Sequence, residues 1–166
     1  MPTGPCARVT DNVLHPIPPV LTPGIGSLQC ICGFLPVWRG VPAGVASALQ
    51  TAKKASEVRI KAAEAATTAA MGTPGAPAAK AAEMAMKVAE AAAMASMMSS
   101  MAGMADKHIC GTFVPPPPHG LGVVIDGSKT VQVDNLPVSR MLDTILESIG
   151  PPNKIMKGQF NVIVGG

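Results

Sequence analysis

Two segments far apart in the chain, GSLQCICGFLPVWR at 26–39 and GSKTVQVDNLPVSR at 127–140, align without a gap, with Gly, Ser, Leu, Pro, Val and Arg recurring at an offset of 101 residues. A degenerate third copy, GQFNVIVGG, occupies 158–166. Each copy carries apolar residues at every second position: Cys30 and Cys32, Val131 and Val133, Val162 and Val164. That alternation predicts half-buried strands, with Gly-Ser before and Leu-Pro after them supplying turns. A fold built on this chain has to accommodate one β unit three times, which predicts a stacked or pseudo-symmetric β architecture. Because the other copies carry valine there, Cys30 and Cys32 read as small core residues rather than ligands.

The interval between the first two copies is too long for one repeat. Residues 42–106 differ in style from their surroundings, being rich in Ala, Met, Lys and Glu, whereas 1–41 and 107–166 are rich in Pro, Gly, Val and Ile. Removing this 65-residue stretch brings the first interval to about 36 residues, beside 31 for the second. The middle therefore reads as an insertion into a discontinuous β domain. Pro42 suits a helix start, GTPGAP interrupts the pattern, and two helices are expected, from about Pro42 to Met71 and from Pro77 to Ala105. Gln50, Lys53, Glu57, Lys61 and Glu64 form one polar stripe, and Lys80, Glu83, Lys87 and Glu90 another. The opposite, alanine-rich faces are expected to let the helices approach closely, and Met94, Met97, Met98 and Met101 to pack as core.

Composition excludes several functions. Charged residues are 14% and aromatic residues 2%, so an aromatic-anchored core is not expected and something besides bulk burial should hold the fold. Net charge is +3 without Lys/Arg clusters or interleaved aromatics, which gives nucleic-acid binding no support. The start MPTGPCARVTD lacks the pattern of a signal peptide, and four cysteines in this length do not read as a secreted disulfide framework, so synthesis in a reducing cytoplasm is expected. Neither Ala65–Ala79 nor Ala91–Ala105 reaches the roughly 18–20 apolar residues of a membrane span.

The scarce ligand-type residues are concentrated. Two of the three histidines fall in ADKHICGTFVPPPPHG: His108, then Cys110 pointing the same way in extended chain, then His119 beyond a stiff proline run. His15 comes near them once 42–106 is looped out. Three imidazoles and one thiolate would fill zinc's tetrahedral shell, and a closed shell is structural rather than catalytic. The spacing by itself leaves open that these are unrelated residues. For catalysis there is little: Cys110 with a histidine lacks an orienting acid or oxyanion element, GIGSLQ lacks phosphate-loop spacing, and no paired carboxylates mark a cleft. An enzyme is not expected.

ARVTDNVLH, TPGIGSLQCICGFLPVWRG, HGLGVVIDGSKTVQVDNLPVSR and GPPNKIMKGQFNVIVGG together resemble the PAAR-repeat proteins over nearly all of 6–41 and 107–166. The resemblance implies a mainly β fold, a small pseudo-threefold cone of hairpins, here with a helical hairpin inserted at 42–106. It implies a cone whose base caps a trimeric VgrG-type spike of a contractile injection machine, one tip per trimer, and whose tip aids puncture of a target membrane. It implies one structural zinc held by His15, His108, Cys110 and His119. Such a protein assembles in the cytoplasm and is ejected on contraction. The family's Pro-Ala-Ala-Arg stands here as Pro36-Val37-Trp38-Arg39 and Pro137-Val138-Ser139-Arg140, and Met141-Leu142 replaces the Gly-Asp that often follows. With no toxin domain after Gly166, a tip without its own warhead, or a fragment of a longer one, is expected. The alternative is an effector or effector carrier whose hairpin binds a chaperone or enters a membrane.

Overall fold

A computed structural model describes residues 3–113 and 117–166. Its strands are β1 (Gly4–Cys6), β2 (Ile31–Cys32), β3 (Leu35–Pro36), β4 (Lys107–Phe113), β5 (Pro118–Val124), β6 (Gln132–Val133), β7 (Leu136–Pro137), β8 (Thr144–Glu147), β9 (Asn153–Lys154) and β10 (Gln159–Val164), with helices α1 (Ala43–Ala70) and α2 (Ala76–Met101) between β3 and β4. β4, β5, β8 and β9 form a curled antiparallel sheet in that order. The expected mainly β class holds only in part. Helix makes up 34% and strand 29%, because two helices of 28 and 26 residues outweigh strands of two to seven. The stiffening expected of the proline run falls partly on Pro115 and Pro116, outside the described residues.

The repeat becomes three equivalent hairpins. β2 pairs with β3 through Ile31↔Pro36 and Cys32↔Leu35, and β6 with β7 through Gln132↔Pro137 and Val133↔Leu136. The third is made from the two ends of the chain: β10 pairs with β1 through Ile163↔Pro5 and Val164↔Gly4. The degenerate copy at 158–166 is therefore completed by Pro5-Cys6-Ala7-Arg8, a third Pro-x-x-Arg. In the two continuous hairpins the turns place Gly33 and Phe34, or Asp134 and Asn135, at positive φ, the geometry of a tight two-residue turn.

The three Pro-x-x-Arg segments close on one another cyclically. Trp38 N–H donates to Ala7 O, Ser139 N–H to Trp38 O and Ala7 N–H to Ser139 O, each at 2.9 Å. Bridges Arg8↔Val37, Arg39↔Val138 and Cys6↔Arg140 follow the same cycle. Each arginine also clasps an aspartate. Arg8 binds Asp11, Arg140 binds Asp143 and Arg39 binds Asp106, with the guanidinium and the arginine's own N–H donating to one carboxylate. In two copies the pair is three residues apart, and Thr10 or Leu142 takes positive φ between them. Met141-Leu142 thus preserves the turn. In the third copy the partners are 67 positions apart, since the helical insertion fits between Arg39 and Asp106.

The core is divided into three small clusters. Cys6, Cys32, Val37, Val138 and Val164 pack together where the hairpins meet. Trp38, the one tryptophan, is fully buried with Ala7, Leu21, Val124, Ile145 and Ile155. Leu49, Met94 and Met98 seat the root of the helices on Val123 and Leu146 of the sheet.

Away from that root the helices meet differently from expectation. Lys53, Ser56, Glu83 and Glu90 are buried, Arg59 binds Glu90 at 2.5 and 2.7 Å, and Lys87 lies 2.7 Å from both Glu64 and Glu83. Glu83, Lys87 and Glu90 of the second stripe face the seam, but of the first only Lys53 is buried, Gln50, Glu57, Lys61 and Glu64 being exposed like Ala55, Ala62, Ala66, Ala81, Ala85 and Ala92. Alanine offers little area to bury, so ion pairs share the seam with half-buried Ile60, Ala63, Ala79 and Ala91. Met94 and Met98 are core as expected, but Met97 and Met101 are exposed.

Asp106→Asn removes the charge opposing a buried guanidinium, and loss of one partner of such a pair costs about 3–5 kcal/mol. Chemical denaturation should show a drop of that size for Asp106→Asn, and for Asp11→Asn in the equivalent copy.

Candidate metal centre

Four side chains from four parts of the chain converge at the far side of the sheet. Cys110 points inward from β4, His119 from β5 and Glu147 from the end of β8, all three buried. His15 arrives on the segment after Val13, which bridges to Ile155, and the backbone N–H groups of Leu14 and His15 donate to Asn153 Oδ1 on β9 at 3.0 and 3.2 Å. One ligand atom from each of His15, Cys110, His119 and Glu147 lies within 4.8 Å of all the others.

The donor atoms crowd one point, closer than a shared cation would hold them except for His15 and Cys110. His15 Nδ1 is 3.1 Å from His119 Nδ1, 3.2 Å from Glu147 Oε2 and 3.4 Å from Cys110 Sγ, and His119 Nδ1 is 2.5 Å from Glu147 Oε2. A tetrahedral ion with bonds of about 2.0–2.3 Å separates its ligands by about 3.3–3.8 Å. With thiol and carboxyl neutral, the group is held by hydrogen bonds through their protons; once those protons are lost, two imidazoles, a thiolate and a carboxylate are a donor set that fits a metal ion. Gly150 is packed against this arrangement: at φ +81 its hydrogen leaves room for His119, whose Nε2 would lie 2.6 Å from an added Cβ.

The sequence pattern pointed to His15, His108, Cys110 and His119. Three of these come together. His108 is buried two residues before Cys110 on the same face of β4, but it lies outside the four-residue group. Extended chain advances about 6.6 Å over two residues, so sharing a face does not bring two side chains to one point. Neither His108 nitrogen completes a hydrogen bond among the described residues, although the Thr22 backbone lies beside the ring. Glu147 takes the fourth place and was missed. Its signal in the sequence is an acid among apolar residues, Ile145-Leu146-Glu147-Ser148-Ile149, where a solvated strand would not bury it.

Burial sets the protonation of the group. It lowers His15, lowers His119 with help from the fields of His15 and Lys53, and raises the Cys110 thiol. It lowers His108 to about 4 and raises Glu147 from 4.5 to about 7. Every shift favours the neutral form, and a metal must displace protons from Cys110 and Glu147 to bind.

Among the described residues no helix is long and apolar enough to cross a membrane. No protein-family model, curated protein or solved structure matches the chain.

In metal-stripped protein, Glu147 is raised in the folded state, so its contribution is fully present below pH about 4.5 and is lost as pH rises through about 7. Metal reverses that loss by stabilising the carboxylate. The gap in Tm between loaded and stripped protein should therefore widen as pH is raised from 5 to 8, and Glu147→Gln should narrow it at pH 8. Differential scanning calorimetry across that range measures both.

Proposed function

We propose that this chain is a PAAR-like tip: a small cone that caps the trimeric VgrG-type spike of a contractile injection machine, one tip per trimer, and helps it to breach a target membrane. The observation that carries this reading is the cyclic closure of three Pro-x-x-Arg segments. A monomer with internal threefold equivalence can meet all three chains of a trimer through equivalent surfaces, which an asymmetric cap cannot do. The surface available for that contact is apolar. The hairpins expose Phe34 at 99%, Leu28 at 81%, Ile31 at 67%, Phe160 at 66% and Ile163 at 60%. Leu28 and Phe160 occupy equivalent repeat positions, and so do Ile31 and Ile163.

The metal centre belongs at the opposite end on this reading, where strands converge and little core can be built. There one ion replaces packing and no bond is made or broken in a substrate. Zinc is the metal proposed, since thiolate and imidazole donors favour it over harder ions and a carboxylate is an accepted partner. The protein would be assembled in the cytoplasm and ejected on contraction.

A second reading is favoured by one feature, the exposed apolar residues of the helical hairpin, Val58, Met71, Met84, Met86 and Val88. It makes the chain an effector carrier that recruits a chaperone or meets a membrane through 42–106. Replacing residues 43–104 by a short linker should abolish such capture and leave metal content unchanged.

Native mass spectrometry of the full chain with a trimeric VgrG-type spike should give one tip per three spike chains, and Phe34→Asp with Ile163→Asp should weaken the complex at least tenfold. Binding that ignores these changes, or a stoichiometry of three tips per trimer, would remove the spike-tip reading.

A further inference from the structure

The three cysteines outside the metal centre are gathered where the hairpins meet. Cys6 and Cys32 are buried in one apolar cluster with Val37, Val138 and Val164, and Cys30 packs against it from a half-buried position. All are free thiols. Their repeat equivalents are valines: Val37 and Val138 for Cys6, Val133 and Val164 for Cys32. Packing alone is therefore met by valine at each place, and the cysteines add a chemistry that the other copies lack. They stand on either side of one particular joint. Cys6 is on β1, the strand that the chain's beginning contributes to the third hairpin, and Cys32 is on β2 of the neighbouring copy. The bridge Arg8↔Val37 carries the backbone between these two copies, and the Cys6 thiol interacts with that of Cys32 across it.

We infer that Cys6 and Cys32 are a disulfide site that locks the chain's first strand to the ring under oxidising conditions. The two thiols lose two protons and two electrons, an S–S bond forms between them, and a small disulfide such as oxidised glutathione accepts the electrons and becomes two thiols. Cys30 stays reduced in this scheme. It is two residues from Cys32 along extended chain, about 6.6 Å between Cα atoms, at the far limit for a bridge and with both side chains pointing the same way. The cross-link joins a joint that is otherwise held without covalent continuity, and closing it restricts the unfolded chain. The inference stands on these thiols and does not depend on the spike-tip reading.

The test uses the full, metal-loaded chain, incubated in oxidised glutathione or in dithiothreitol and also refolded in each, so that burial does not limit the reaction. Peptide mapping without reduction should link the Cys6 peptide to the Cys32 peptide, with a mass loss of two hydrogens, unchanged metal content and a higher Tm than the reduced sample. Cys32→Val, which installs the residue that the other two copies carry there, should fold, hold metal and show neither the link nor the rise. Recovery of Cys6 and Cys32 as thiols or as separate glutathione adducts in folded wild type would overturn the inference, as would a link made through Cys30.

Discussion

Three backbone hydrogen bonds, Ala7 to Ser139, Trp38 to Ala7 and Ser139 to Trp38, hold together segments from the beginning, the first third and the last fifth of the chain. Strands of two and three residues have no independent stability, and each hairpin here contains at least one strand that short. What makes them persist is that each is the next one's neighbour and the last returns to the first. The arginine of each copy binds an aspartate of its own turn, and Arg8 and Arg39 also reach a neighbouring hairpin: Arg8 donates to Gly33 O and Arg39 to Asp134, while Arg8 to Gln159 Oε1, Arg39 to Gly26 O and Arg140 to Asp126 O tie each arginine to its own copy. Buried ion pairs of this kind add less to net stability than to specificity, because removing either partner leaves an uncompensated charge.

The helical insertion enters without disturbing the ring. It splits one Arg-x-x-Asp turn, and Asp106 returns to Arg39 in the geometry that Asp11 and Asp143 have with their arginines. Its root is ordinary apolar packing through Leu49, Met94 and Met98. Beyond the sheet the seam is mixed, with Glu83, Lys87 and Glu90 among half-buried alanines. The two ends of the hairpin therefore answer to different constraints, the first to the domain's core and the second to whatever surrounds it.

Much of this was legible in the sequence, and the misses have physical causes. The 26–39 and 127–140 copies, the alternation at Cys30/Cys32 and the two helices can be read directly because they rest on local pattern. Pro5-Cys6-Ala7-Arg8 escaped notice because its hairpin is closed through space by chain ends. Asp106 escaped because the insertion moved it 67 positions from Arg39. Of the candidate metal group, His15, Cys110 and His119 could be picked out from scarcity of ligand types, but residue type does not tell which of two neighbours on a strand face reaches a point. That is why Glu147 occupies the place expected of His108. The inward turn of Glu83, Lys87 and Glu90 was hidden because an alanine face and a charged face on a helix predict opposite sides, not which side meets the partner helix.

Cyclic closure is the claim on which the fold, the threefold equivalence and the functional proposal all rest, and amide hydrogen exchange reads it directly. A closed ring predicts that the Ala7, Trp38 and Ser139 amides exchange at one common slow rate, set by global unfolding, since opening any bond of the ring breaks it. Fast exchange at Ala7 with Trp38 and Ser139 still protected would contradict it, because the chain's first strand would then be a frayed end rather than the third member of a ring.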